Sequence, residues 1–501
     1  MMDLMADQEE TTLEQAYSPE EVVPPFPDRF GAVSPPSSVE TSLSAPSEIE
    51  PPPPPLPEEI SSTSLRGVIL EKLKKILPIF LALAVVIGLV LAGVRFFKGR
   101  QGLSPKKEVA LTYWGLWEPV NVMETIIAEY QKNHPKIKIS YSQESPQDYR
   151  ERLQSAFARG EGPDIFRFHH TWVPMLKSEL ALLPTEMIEE EDYYPVVAKN
   201  LKRGESFYGV PLMIDTLALF INDDIFRAAG KTPPATWEEF QKVALELTVR
   251  DERGRIQTAG AALGITDNID HWSDILGLMM LQNGVDMKKV DSTIGADGRN
   301  LGVDALTFYT LFSRVYKVWD ETLPSSTLAF AGGKLAMYFG PFWRVLNIKE
   351  ANLNLNFRIL PVPQLSGANI AWASFWTEGV WEKSENKKEA VEFLKYLSSK
   401  EVLEKLYQAE SQLRLFGELY PRIDMAGLLS ANPLLAPFLS QAPNAQSWYL
   451  CSRTYDNGIN DRMIKYFEDA VNSVNRGGSV QSALSTAAQG ATQLLNQYGV
   501  E

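Results

Sequence analysis

From about residue 108 onward the sequence predicts an α/β fold. Three observations carry that expectation. Residues 109–168 alternate strand and helix patterns in a β-α-β-α-β run, which predicts a doubly wound sheet with ligands at the carboxyl ends of its strands. Thr216–Ile221 is almost unbroken apolar sequence, as a strand covered on both faces requires. Composition and charge change abruptly near residues 65 and 107, which sets this region apart from what precedes it.

The chain has 501 residues and a net charge of -15, unevenly spread. Residues 1–65 hold thirteen acids and one base, Arg29, with a Pro51–Pro55 run. So polar a segment cannot bury enough apolar surface to offset its chain entropy, and it is expected to be a disordered, acidic, Pro-rich, solvated tail. Residues 66–107 reverse the sign, with nine bases and one acid. Within them Ile76–Val94 is nineteen residues without a charge. As a helix it spans roughly 28 Å, close to the apolar thickness of a bilayer. It begins too deep for a signal peptide, and Val94 stands where a lipoprotein motif needs Cys, so a retained transmembrane helix is expected. Four basic residues precede the span and five follow it, which leans slightly towards a cytoplasmic C-terminus. The acidic remainder argues against nucleic acid as a partner, because phosphate contacts need clustered Lys and Arg. A single cysteine, Cys451, allows no disulfide within the chain.

The ordered region reads as follows. Val109–Trp114 is a strand. Pro119 suits the first position of the helix bearing Val122, Ile126, Ile127 and Tyr130. Ile137, Ile139 and Tyr141 alternate as a second strand. Asp148–Arg159 is a helix, and Asp164–Phe168 a third strand after a Gly-Pro turn. Tyr208–Gly230 reads as a strand, a tight Pro turn, a second strand, and a short helix capped by Asn222, Asp223 or Asp224 and closed by Gly230. Asp215 is the one carboxylate between those apolar runs, so it must face solvent, a partner or a ligand. Thr236-Trp237-Glu238-Glu239 fits a capping box. Further helices are expected at Trp272–Gln282, Val303–Val318, Lys387–Leu397, Glu401–Gln408, Asp461–Val474 and Val480–Leu495. Further strands are expected within Phe330–Trp343 and at Phe357–Val362 and Glu378–Trp381.

All eleven tryptophans lie beyond residue 108. Trp114, Trp117, Trp172, Trp343 and Trp376 fall at or beside expected strand ends, and Trp272 opens a helix. An aromatic face stacks on the apolar face of a pyranose, while carboxylates, amides and His bond its hydroxyls; the competing reading is core packing. His169 and His170 are adjacent, so their side chains should diverge, and only His134 and His271 remain; no metal site is expected. No phosphate-binding loop, nucleophile elbow or zinc-protease motif is present. Glu118, Asp215 and Asp270 leave a glycosidase acid–base pair open as a minor alternative.

Several stretches together resemble one family. They are GEGPDIF at Gly160–Phe166, YGVPLMIDTLALFINDDIF at Tyr208–Phe226, PATWEEF at Pro234–Phe240, FAGGKLAMYFGPFW at Phe330–Trp343, ILPVPQ at Ile359–Gln364 and SENKKEAVEFLKYLSS at Ser384–Ser399. In this order they resemble the extracellular solute-binding proteins of ABC importers, the family 1 group that includes maltose-binding protein. The resemblance implies a two-lobe periplasmic-binding-protein type II fold. One lobe would hold about 108–214 and 358–405, the other about 215–357 and 406–501, with softer boundaries across 411–452. It implies ligand contacts from Trp114, Trp117, Glu118, His170, Trp172, Asp215, Trp272, Trp343 and Trp376, with no catalytic residue, metal or cofactor. It also implies a carbohydrate, probed by closure of the lobes and passed to an ABC permease. That function needs the lobes outside the cell, which sets the expected orientation: single-pass, tail cytoplasmic, C-terminal domain extracytoplasmic. A sensor or receptor using the same cleft, and a non-sugar solute such as a polyamine, remain open alternatives.

Overall fold

The computed structural model describes residues 108–500. The expected tail at 1–65 and the expected span Ile76–Val94 lie outside the described residues. Among the described residues no helix is long and apolar enough to cross a membrane.

Two sheets organise the described chain. The first has four strands in the spatial order Trp376–Val380, Ile165–His169, Val109–Gly115, Ile137–Gln143. Its three N-terminal strands are parallel, and Trp376–Val380 closes the edge antiparallel. The crossover helices Val120–Asn133 and Tyr149–Arg159 bury Val122, Ile126, Ile127, Tyr130, Leu153 and Phe157. Asp164, just before the third strand, is structural: one carboxylate oxygen accepts from the Thr112 N–H at 2.8 Å and the other accepts from the Ser384 hydroxyl.

The second sheet has five strands in the order Phe357–Leu360, Ala218–Asn222, Leu335–Gly340, Ile256–Ala261, Val249–Arg250. Ala218–Asn222 is buried at every position, as its apolar run requires. The Asn222 side chain accepts from the Asp224 and Ile225 N–H groups and starts the helix Asp223–Ala228. The capping box at Thr236 and Glu239 forms as the sequence implies. Helix Trp237–Leu247 lies so close to the sheet that a Cβ on Gly260 would meet the Ala244 carbonyl oxygen at 1.8 Å.

Two expectations are corrected. Tyr208–Val210 is not a strand of either sheet; Val210 makes a single antiparallel bridge to Glu378, because Pro211 has no N–H with which to continue a ladder. The return crossing does not fall at 357/358. Phe357–Leu360 pairs along its length with Ala218–Asn222, so the second lobe keeps the whole strand and the chain crosses back only afterwards.

Three crossing segments are joined side to side. The Leu217 N–H donates to the Trp372 carbonyl at 2.9 Å, and the Ser374 N–H donates to the Asp215 carbonyl at 3.1 Å. Ala371–Trp372 pairs with Ala445–Gln446 in a parallel two-stranded ribbon. The Gln441 amide donates to the Leu217 carbonyl at 2.7 Å and to the Thr216 hydroxyl at 3.0 Å. The backbone between the sheets is thus satisfied by its own neighbours.

Inside the first lobe sits a buried charge cluster. Arg167 Nη1 bonds Glu118 Oε2 at 2.6 Å, and Arg167 Nε bonds Glu378 Oε1 at 2.9 Å. The Tyr113 hydroxyl donates to Glu378 Oε1 at 2.6 Å. Burial, helped by the Glu118 charge, pushes the Glu378 carboxyl upward, and the Arg167 charge and the hydrogen bonds from Arg167 and Tyr113 oppose that push. Removing one member leaves buried charge without a partner, which costs about 3–5 kcal/mol. Arg167→Ala is therefore expected to lower unfolding free energy by about that amount in denaturant titration, and a loss under about 1 kcal/mol contradicts the role assigned to the cluster.

Candidate functional site

A pocket of about 290 Å³ opens where the joined crossings pass between the sheets. Its floor is the crossing itself: Asp215, Thr216 and Leu217, with Ser374 and Phe375 from the second crossing. Asp215 Oδ1 accepts from the Phe342 N–H at 2.8 Å. Burial pushes this carboxyl well above the ordinary range; the Phe342 N–H pulls against that push, and the charge of Glu418 adds to it. The side chain still reaches the pocket, so a ligand hydroxyl or cation arriving there meets an acceptor with spare capacity.

Aromatic rings make two walls. Trp376 meets Trp117 edge-on at 5.6 Å, with His169 and Trp172 edge-on behind it at 5.1 and 5.2 Å. From the second sheet comes Trp343, which also lines the pocket and follows the Gly340-Pro341 turn that ends strand Leu335–Gly340. The Arg344 guanidinium lies 4.3 Å from the Trp343 ring centre and that of Arg453 lies 5.8 Å away. Asp270 Oδ1 accepts from both guanidinium groups, at 3.0 and 2.6 Å. Burial pushes Asp270 upward, but Arg344, the Thr327 hydroxyl, His271 and Arg453 outweigh it and hold the carboxyl down at about 2.

The remaining wall is polar. Asp274 Oδ1 accepts from the Trp372 ring N–H at 2.8 Å and from the Ser452 N–H at 3.2 Å. Arg414 donates to Glu410 at 2.9 Å and to Glu418 at 2.7 Å. Burial, with the neighbouring Glu418 charge, pushes Glu410 up. Arg453, Tyr455 and Asn457 hold left-handed backbone at φ of 60°, 53° and 42°. Conformations of this kind cost on the order of 1–3 kcal/mol each in non-glycine residues, so the surrounding contacts must hold this loop in place.

Of the nine residues singled out from sequence, four line the pocket: Trp117, Asp215, Trp343 and Trp376. The other five stand elsewhere. Glu118 is consumed by Arg167 in the buried cluster. Trp172 is fully buried and packs between Tyr149 and Trp376. His170 is buried and stacks on Phe375 at 4.2 Å. Trp114 and Trp272 are half-buried against the core, outside the pocket wall. Sequence reasoning missed Arg414 and Glu418, from the loop after helix Lys400–Ser411; Ser452, Arg453 and Tyr455, from the loop before helix Ile459–Asn475; and His271 and Asp274 beside Trp272.

The two adjacent histidines also depart from expectation. Strand Ile165–His169 ends at His169 and the chain at once tightens into the single helical turn His170–Trp172. That change of twist brings the two rings to 4.5 Å rather than to opposite faces. Burial pushes both imidazoles down, His170 to about 3, so both are neutral at ordinary pH.

Residues 118–404 match the family described as bacterial extracellular solute-binding protein. An uncharacterised lipoprotein from the oleD 5′ region of Streptomyces antibioticus is 28% identical over 343 residues, 64% of this chain and 72% of that one. The maltodextrin-binding protein MdxE of Bacillus subtilis is 25% identical over 293 residues, 55% of this chain and 66% of its own. Among solved structures, the sugar-binding protein MalE of Xanthomonas citri shares the fold with a TM-score of 0.63 at 20% identity, over 78% of this chain and 98% of that one. A cyclo/maltodextrin-binding protein complexed with maltotetraose gives the same TM-score at 18% identity, over 78% and 98%. Its match spans more than half of the sequence and runs through both sheets, and this chain belongs to the bacterial extracellular solute-binding protein family.

Proposed function

We propose that this chain captures a carbohydrate in the pocket between its lobes and delivers it to the permease of an ABC importer. The family is one of binding proteins and not of enzymes. The observation that carries the carbohydrate reading is that Trp343 from the second sheet and Trp376 and Trp117 from the first line one pocket with the hydrogen-bonding Asp215. A pyranose offers apolar faces to such rings and hydroxyls to such a floor. Relatives whose names give a ligand point the same way, maltodextrin for one and multiple sugars for another. The acids that a glycosidase needs are engaged otherwise: Glu118 with Arg167, Asp270 with two arginines.

Sugar touching both lobes binds the closed arrangement better than the open one and shifts the balance by that difference in affinity. Closure then presents a new outer surface to the permease. In this reading Ile76–Val94 anchors the protein in the cell membrane, with the lobes extracytoplasmic and the tail at 1–65 cytoplasmic. A polyamine is the second reading, favoured by one observation: Glu418 and Asp274 crowd Asp215 with negative charge, which an ammonium group would relieve.

Three outcomes test this reading. A thermal-shift screen of the full chain with malto-oligosaccharides, mono- and disaccharides and polyamines is the first. At about 100 times its dissociation constant, the true solute adds roughly 2.7 kcal/mol of stability. A saccharide hit is expected; a polyamine hit alone replaces the carbohydrate, and no hit at all removes the reading. By calorimetric titration, Asp215→Ala and Trp343→Ala should each weaken saccharide binding by more than about tenfold, or about 1.4 kcal/mol. Near-normal affinity in both displaces the site from this pocket. The third concerns Asp270. Its folded carboxyl lies below the ordinary 3.8, so its contribution is present above that value and is lost as pH falls towards about 2. The full contribution is about 2 kcal/mol. Asp270→Asn should flatten acid destabilisation across that window, and an unchanged acid profile contradicts the arginine clamp.

A further inference from the structure

Behind the aromatic wall, three metal-ligating side chains converge. One ring nitrogen of His169, one of His170 and the Cys451 sulfur lie within 4.8 Å of one another, and all three residues are buried. Two hydroxyls share the same spot. Ser374 Oγ is 3.0 Å from His169 Nε2. Ser447 Oγ is 3.2 Å from His170 Nε2 and 3.3 Å from Cys451 Sγ. His170 Nε2 and Cys451 Sγ are themselves 4.0 Å apart. We propose that His169, His170 and Cys451 form a binding site for a zinc-class cation, set at the junction of the first lobe and the joined crossings.

Chemistry and geometry both favour that class. Two imidazoles with a thiolate select Zn(II), Co(II) or Cu(I) over Mg(II) or Ca(II), which prefer oxygen. In a tetrahedral zinc site with Zn–N of about 2.0–2.1 Å and Zn–S of about 2.3 Å, nitrogen and sulfur stand about 3.5 Å apart. The observed 4.0 Å between His170 and Cys451 exceeds that by about half an ångström, and with all three donor atoms within 4.8 Å the side chains must draw together on binding. Uptake breaks the Cys451 S–H bond and forms a sulfur–metal bond, and the proton leaves to solvent. His169 and Ser374 also line the pocket, so the cluster lies directly beside it, and a water can supply the fourth ligand.

Position gives such a metal a consequence. His169 ends a strand of the first sheet, Ser374 lies on the second crossing, and Cys451 follows the ribbon strand Ala445–Gln446. A metal joining His169, His170 and Cys451 fixes the first lobe to the strip about which the lobes pivot. This site is independent of which solute the pocket takes.

The test uses the full chain, stripped with chelator and titrated with Co(II) as a spectroscopic probe. One equivalent should bind, with a near-ultraviolet sulfur-to-cobalt charge-transfer band that Zn(II) displaces. Cys451 is the sole cysteine, so that band can arise from no other thiol of the chain. The band should vanish in Cys451→Ser, and His170→Gln, which keeps the thiol, should weaken uptake by at least about tenfold. Absence of stoichiometric uptake by the parent chain overturns the proposal, as does uptake by both variants as tight as that of the parent. Saccharide titration of the metal-free chain reads the pocket separately, so failure there and failure here are distinguishable.

Discussion

The arrangement depends on one constraint: the backbone that passes between the sheets does so three times, and the three passages are bonded to one another. Leu217 to Trp372, Asp215 to Ser374, and Ala371–Trp372 to Ala445–Gln446 make a strip in which neighbouring passages supply each other's partners. An isolated crossing would leave its peptide groups to water and could bend anywhere. A bonded strip ties the three passages together, so none of them can shift without breaking bonds to its neighbours. It also fixes where the pocket lies, because Asp215 and Ser374 belong to the strip and the aromatic residues are carried by loops that face it.

Charged groups in this protein divide between two tasks, and burial decides which. The Glu118–Arg167–Glu378 cluster is enclosed and holds the loop after the first strand to two strands of the first sheet. Nothing arriving from the pocket needs to meet it. Asp270, by contrast, positions two guanidinium groups beside Trp343 and so shapes the wall without offering much of itself to a ligand. Asp215 combines a fixed backbone bond on one oxygen with access to the pocket from the crossing itself. Ion pairs of the buried sort add little net stability over apolar residues, but losing one partner is costly, and this keeps them in place.

Much of the fold was legible in the sequence because Ile165–His169 and Ala218–Asn222 are buried at every position, Ile137–Gln143 alternates, and helices such as Val120–Asn133 bury one apolar face. Trp272–Gln282 and the capping box at Thr236 emerge as read. The return crossing was misplaced because Phe357–Leu360 shows local strand character, and only its pairing with Ala218–Asn222 says to which sheet it belongs. The site was half legible. Asp215, Trp117, Trp343 and Trp376 stand out as polar or aromatic interruptions at strand ends. Glu118 looked the same, yet its partner is Arg167, a residue distant in sequence inside an apolar strand. Arg414, Glu418, Arg453 and Tyr455 come from irregular chain whose conformation is set by contacts rather than by period, so no local pattern announces them.

The same discontinuity has a consequence in time. Arg167 and Glu378 are 211 residues apart, and the edge strand that carries Glu378 completes the first sheet. At synthesis rates of roughly 5–20 residues per second, the guanidinium emerges about 10–40 s before its carboxylate exists. During that interval strand Ile165–His169 has an open edge and Arg167 has half of its counter-charge. The first lobe therefore cannot finish folding as an early, independent unit on the ribosome. It waits, with an exposed strand edge, for the chain to travel through the second lobe and return.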